Sequence, residues 1–159
     1  MAKKEEKTNV MRILEQKKIP YTAHSYACSG AVSGTEVAEL LGQNPAQVFK
    51  TLVTQGASKS YYVFMIPVAE ELDLKKGAKA VGEKSIAMIK SKELLPLTGY
   101  IHGGCSPIGM KKQFATTAHF TAKNFPTVIF SAGKIGYQVE LSFEDLSGII
   151  PVGTADVTV

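Results

Sequence analysis

The sequence predicts an α+β fold with a mixed, mostly antiparallel sheet. Three observations lead there. Helix and strand signals alternate irregularly, without the strand–helix–strand repeat that builds an all-parallel sheet. Two β-prone runs, residues 48–54 and 61–67, are separated by a short polar segment and read as a hairpin. Aliphatic, aromatic, Met and Cys residues make up 45% of the 159 residues, enough for one substantial core.

Taken in order, residues 1–7 are rich in Lys and Glu and read as a flexible tail, with 8–159 as a single domain. Thr8 or Asn9 offers an oxygen to cap a first helix, whose leading N–H groups have no acceptors within the helix. Val10, Met11, Ile13 and Leu14 line one apolar face of it, and Pro20 stops it. Residues 21–26 alternate and predict a short strand; the small residues at 29–34 predict a loop. A second helix over 35–41 turns Val37, Leu40 and Leu41 inward and closes at Gly42. Asn44-Pro45 marks a turn ahead of the hairpin. Asp73 caps a third helix with Leu74, Ala78 and Val81 inward and Gly82 behind it. Ser91 caps a short fourth helix that runs through Leu95. Residues 99–109 form a Gly/Ser/Pro-rich loop. Strands at 127–131 and 137–141 flank a glycine-containing connection. Ser142, followed three residues later by Asp145, starts a capping box and a last short helix.

Composition excludes several classes. The chain is too apolar for a disordered one, and two distant cysteines, Cys28 and Cys105, do not make a disulfide scaffold. No apolar run reaches the roughly 18 residues of a membrane helix, and no hydrophobic segment follows the charged N-terminus, so a cytoplasmic protein is expected. Eighteen Lys and Arg against 14 Asp and Glu give a net charge of +4. Between residues 94 and 139 the only charged side chains are Lys111, Lys112, Lys123 and Lys134; beyond that, only acidic ones remain. Such a basic stretch either faces phosphate or simply solvates loops.

Nucleotide-binding, hydrolase-triad and zinc-protease motifs are absent, and His24, His102 and His119 are scattered. No metal site or cofactor is expected. Three places can carry chemistry. Lys50 lies inside an apolar strand, where a lysine either snorkels to solvent or serves a pocket. Gly103 and Gly104, followed by Cys105, Ser106 and Pro107, form either a structural turn or a loop that brings N–H groups close to a ligand oxygen. Ser131, Ala132, Gly133 and Lys134 form either a hairpin loop or an anion-wrapping one. Cys105 reads better as a packed thiol than as a nucleophile, since no activating base is fixed beside it by sequence.

These places occur together, in order, in a known family. His24-Ser25-Tyr26, the run from Asn44 through Lys50 and Thr51 to Leu52, Thr98-Gly99-Tyr100, residues 103–109 and residues 131–134 resemble the YbaK/EbsC group of aminoacyl-tRNA deacylases over about residues 8–150. The resemblance implies a curled or barrel-like sheet flanked by helices, as in editing domains associated with prolyl-tRNA synthetase. It implies release of cysteine from mischarged tRNA(Pro), with the substrate's own thiol attacking its ester. Lys50 falls on the essential lysine, Gly103 and Gly104 on the loop beside the carbonyl. Tyr26, Thr51, Ser106, Pro107, Ser131, Gly133, Lys134 and Gln138 fall on substrate-binding positions. The implied partners are the acceptor end of tRNA(Pro) and prolyl-tRNA synthetase. Relatives commonly carry Asp where this chain has Gln138, and an aliphatic residue where it has Cys105. Alternatives are a deacylase for another acyl group, such as Ala-tRNA(Pro), or a non-catalytic regulatory protein.

Overall fold

The structure, a computed structural model, describes residues 7–26 and 33–159. The expected tail, apart from Lys7, lies outside the described residues, as do Cys28 and most of the expected loop at 29–34.

Local chemistry starts the first helix where the sequence puts it. The Thr8 hydroxyl accepts from Met11 N–H at 3.2 Å and opens α1 (Asn9–Gln16), whose Val10, Met11 and Leu14 are buried. There follow β1 (Thr22–Ser25), α2 (Gly34–Leu40), β2 (Phe49–Gly56) and β3 (Tyr61–Pro67). Next come α3 (Leu74–Val81), β4 (Ile86–Met88), α4 (Ser91–Thr98) and β5 (Ala115–His119). After a 3-10 turn over Phe120–Asn124, the chain ends in β6 (Val128–Ser131), β7 (Tyr137–Leu141), α5 (Phe143–Ile149) and β8 (Val152–Ala155).

The strands form two sheets, ordered β1-β7-β6 and β4-β2-β3-β5-β8. The hairpin β2/β3, and β2/β4, β1/β7 and β6/β7, are antiparallel; β3/β5 and β5/β8 are parallel. The fold is therefore α+β with mixed, mostly antiparallel sheets. The sheets meet where Val48 bridges Ile129 in parallel, with Ile129 N–H donating to Gln47 O at 3.1 Å.

β3 sits inside the larger sheet, and both its faces are covered. Val63 and Met65 point into the main core; Phe64 and Ile66 point into a second cluster with Ala78, Ile86 and Val157. All four strand residues are at most 1% exposed. A strand buried on both sides reads as a continuous apolar run, which is how 63–66 reads.

Several local expectations are corrected. Leu40 is 54% exposed, and α2 instead buries Val37 and Ala38. A β-carbon at Gly34 would lie 2.5 Å from Val68 Cγ1, so α2 seats its first turn close to Val68. Leu74 is 41% exposed, because α3 packs its small residues, Gly77 and Ala78, onto the sheet. α4 is capped from Lys90, whose N–H donates to the Glu93 carboxylate at 2.9 Å, and not from Ser91. It also runs through Pro96 to Thr98. Proline there forgoes one hydrogen bond, while the Thr98 hydroxyl donates to Leu94 O at 2.8 Å and holds the last turn. β4, β5 and β8 were not legible: all three are short, and β5 and β8 are poor in large apolar residues.

Removing the Phe64 ring leaves a cavity that rigid strands cannot close. Phe64→Ala is expected to lower the unfolding free energy by about 3–5 kcal/mol in urea titration. Gly77→Val is expected to destabilise as well, because its β-carbon would lie 2.8 Å from Ile86 Cδ1.

Candidate active site

A cavity of about 410 Å³ lies where the two sheets meet. Its origin is a gap in strand pairing. β4 pairs with β2 only at residues 54–56, and β6 meets this side of the larger sheet through a single bridge, Ile129 to Val48. Between those points the edge of β2 has no strand beside it, and Lys50 and Thr51 line the opening. The sequence placed Lys50 in this strand; the missing neighbour leaves beside it the space that Lys50 lines. Lys50 is partly buried and, among the described residues, pairs with no carboxylate.

Facing β2 are Tyr26 at the end of β1, Ser131 at the end of β6, Gln138 on β7, and Gly103 and Cys105 from the loop after α4. Six expected site residues thus converge: Tyr26, Lys50, Thr51, Gly103, Ser131 and Gln138. The other five do not line the cavity. Ser106 is fully buried, and its hydroxyl meets Ile108 N–H at 3.4 Å. Pro107 is buried behind the loop. The Lys134 ammonium lies 5.6 Å from the centre of the Tyr137 ring. Gly133 has φ +91°, and a β-carbon there would lie 2.8 Å from Tyr100 Cε1.

Gly104 departs from its expected use as an amide donor. Its N–H donates to Ile101 O at 3.0 Å and closes a turn. A β-carbon at Gly104 would sit 3.1 Å from Ile135 N, so the residue instead lets the 103–109 and 131–136 loops touch. Gly103, at φ +89°, forms the cavity-facing part of that turn.

Tyr100 braces both loops. Its hydroxyl donates to Ile108 O at 2.5 Å, and its ring packs on Gly133. Burial, with Cys105 nearby, pushes the phenol up to about 12. Burial likewise pushes the Cys105 thiol up to about 12, so it remains a protonated thiol at neutral pH. Sequence reasoning missed Val37, Val68, Leu94 and Phe130 as lining residues. Each reads only as core, and nothing local distinguishes a core face from a pocket wall.

The junction beside the cavity is held by side chains. Gln47 Nε2 donates to Thr127 O at 2.9 Å and to its hydroxyl at 2.8 Å. The Thr127 hydroxyl donates to Glu140, whose other oxygen meets His24 Nε2 at 2.7 Å. Burial raises the Glu140 carboxyl, but the bonds from Thr127 and His24 together outweigh it and hold the group below its usual range. Among the described residues, no three His, Cys, Asp or Glu side chains gather as a metal-ligating group, and no helix is long and apolar enough to cross a membrane.

A strand lysine and a glycine turn thus line a small cavity where the two sheets meet. The chain belongs to the aminoacyl-tRNA editing domain family, which it matches over residues 29–149. It is accordingly an editing protein of the aminoacyl-tRNA deacylase type. It is 47% identical to a protein of Enterococcus faecalis named "Putative Cys-tRNA(Pro)/Cys-tRNA(Cys) deacylase EbsC", over 99% of this chain and 98% of that one. A solved structure described as a hypothetical protein superposes with a TM-score of 0.85 at 20% identity, covering 94% of this chain and 99% of that one. Another, described as "a putative trans-editing enzyme for prolyl tRNA synthetase", gives 0.83 at 22%, covering 96% and 98%. These two share the fold.

A buried, protonated thiol predicts slow alkylation: iodoacetamide at about pH 8 should leave Cys105 unmodified in the folded protein while labelling it after unfolding, read by peptide mass spectrometry. Glu140 yields a pH signature. A depressed carboxyl stabilises the fold above its usual pKa and loses that contribution as pH falls through the folded value. Between about pH 5 and pH 3, wild-type stability should therefore fall more steeply than that of Glu140→Gln.

Proposed function

We propose that the protein clears mischarged Cys-tRNA(Pro) in the cytoplasm, and that the thiol of the substrate does the bond-breaking. The observation that carries this is the cavity itself: Lys50 on an open strand edge faces the Gly103 turn, and the lining thiol of the protein is held protonated. Such a site positions a reactant better than it attacks one. The cysteine specificity is supported by the similarity to the Enterococcus faecalis protein named a putative Cys-tRNA(Pro)/Cys-tRNA(Cys) deacylase and by the sequence resemblance.

In this reading Lys50 anchors the aminoacyl-adenosine end through its ammonium, while Tyr26, Thr51, Ser131 and Gln138 surround the acyl group. The substrate sulfur attacks the ester carbonyl. The carbon–oxygen bond to the ribose breaks, and the leaving oxygen takes the proton that the thiol gives up. The products are a cyclic thiolactone and free tRNA. Gly103 N–H is the donor nearest in the loop for the charge that develops on the carbonyl oxygen. Holding thiol and ester in reach replaces an encounter with an intramolecular step. Ser106, Pro107, Gly104, Gly133 and Lys134 act by shaping the two loops. A net charge of only +4 suits a brief grip on tRNA, which prolyl-tRNA synthetase would supplement by presenting the substrate.

The test compares Cys-tRNA(Pro), Ala-tRNA(Pro) and Pro-tRNA(Pro) with purified protein, with and without the synthetase. Only the cysteinyl ester should be cleaved, and Lys50→Ala should reduce kcat/KM by about 100-fold or more. Seryl-tRNA(Pro), which lacks the thiol, should resist cleavage. Turnover of the alanyl ester instead would move the specificity to a water-dependent reaction. Absence of turnover on all three would overturn the enzymatic reading.

A further inference from the structure

The acyl-binding cavity is neutral where an α-ammonium would need an anion. Its titratable lining groups are Lys50, Tyr26, His102 and Cys105; among the described residues, none of the lining side chains is a carboxylate. Residues 27–32, between Tyr26 and Ser33, contain no Asp or Glu either. The carboxylate nearest along β7 is Glu140, and both its oxygens are engaged, by His24 and by Thr127.

At the wall where β7 meets the cavity stands Gln138, 5% exposed. Gln43 Nε2 donates to its side-chain oxygen at 2.8 Å. The two carboxamides form a pair without net charge, and that holds whichever way each amide is turned. Thr51, on the opposite wall, has a buried hydroxyl with no partner. The unmet polar capacity of the wall is thus neutral. An ammonium moved from water into such a site loses its hydration without gaining a counter-charge, and Lys50 adds charge of the same sign. A neutral amine or hydroxyl pays no such penalty and can still hydrogen-bond to an amide or to Thr51.

We propose that the cavity takes the acyl group with an uncharged α-substituent, and that Gln138, fixed by Gln43, selects an unprotonated amine or an α-hydroxyl over an α-ammonium. The substrate class then includes α-hydroxyacyl esters beside aminoacyl ones. This rests on the deacylase reading of the same site.

Binding separates the two ideas without relying on turnover. The probes are non-hydrolysable 3′-amido adenosine analogues, one carrying a cysteinyl group and one the isosteric acyl group with hydroxyl in place of the amine. At about pH 6, below the ordinary α-amine value, the hydroxy analogue should bind about tenfold or more tightly by calorimetry; near pH 9 the gap should shrink to about threefold or less. Gln138→Glu installs a carboxylate of the same length and should reverse the preference at the lower pH. If that variant fails to fold, the wild-type pair alone still decides. A wild-type preference for the amine at the lower pH overturns this proposal and leaves the deacylase reading intact. Binding of neither analogue overturns both.

Discussion

Everything at the site depends on how the two sheets are joined. Val48 and Ile129 make a single parallel bridge, and the Gln47 side chain locks Thr127 beside it. Thr127 then holds Glu140, which holds His24, so β6, β7 and β1 are tied to the entrance of β2 through one chain of hydrogen bonds. Because the contact is a bridge and not a full ladder, β2 keeps an open edge from Phe49 to Leu52. That edge is the wall on which Lys50 and Thr51 stand. A continuous ladder there would pair the backbone and fill the space that the cavity occupies.

The opposite wall is built by close approach. Gly104 and Gly133 have no room for a side chain, and Tyr100 fills the space between the loops that they belong to. Its hydroxyl fixes Ile108 O and its ring fixes the 131–136 turn. The Thr98-Gly99-Tyr100 motif thereby acquires a structural reason. Thr98 finishes α4, Gly99 turns the chain with φ +88°, and Tyr100 delivers the brace. The lining that results includes a lysine ammonium, a glycine turn and neutral polar groups.

The basic stretch between residues 94 and 139 divides along the same lines. It supplies both glycine loops, while its lysines are not gathered in the cavity. Lys134 lies over Tyr137, Lys112 lies 5.9 Å from the Phe114 ring centre, and Lys111 packs along Gly99. Their charges lie outside the cavity, and the ammonium that lines it belongs to Lys50 of β2.

The sequence alone determined what is written in near neighbours. Thr8, Asp73 and Ser142 each cap a helix because the acceptor and the free N–H groups lie within three residues. The hairpin follows from two β-prone runs about a polar segment, and Lys50 and Gly103, both singled out by the sequence, line the cavity. Tertiary structure decided the rest. It chose the parallel partners β5 and β8, exposed Leu40 and Leu74, spent the Gly104 amide on a turn, and paired Gln138 with Gln43 across 95 residues. Each of those outcomes depends on what a distant segment brings alongside. Spacing along the chain carries no record of which strand edge stays open or which amide finds a partner.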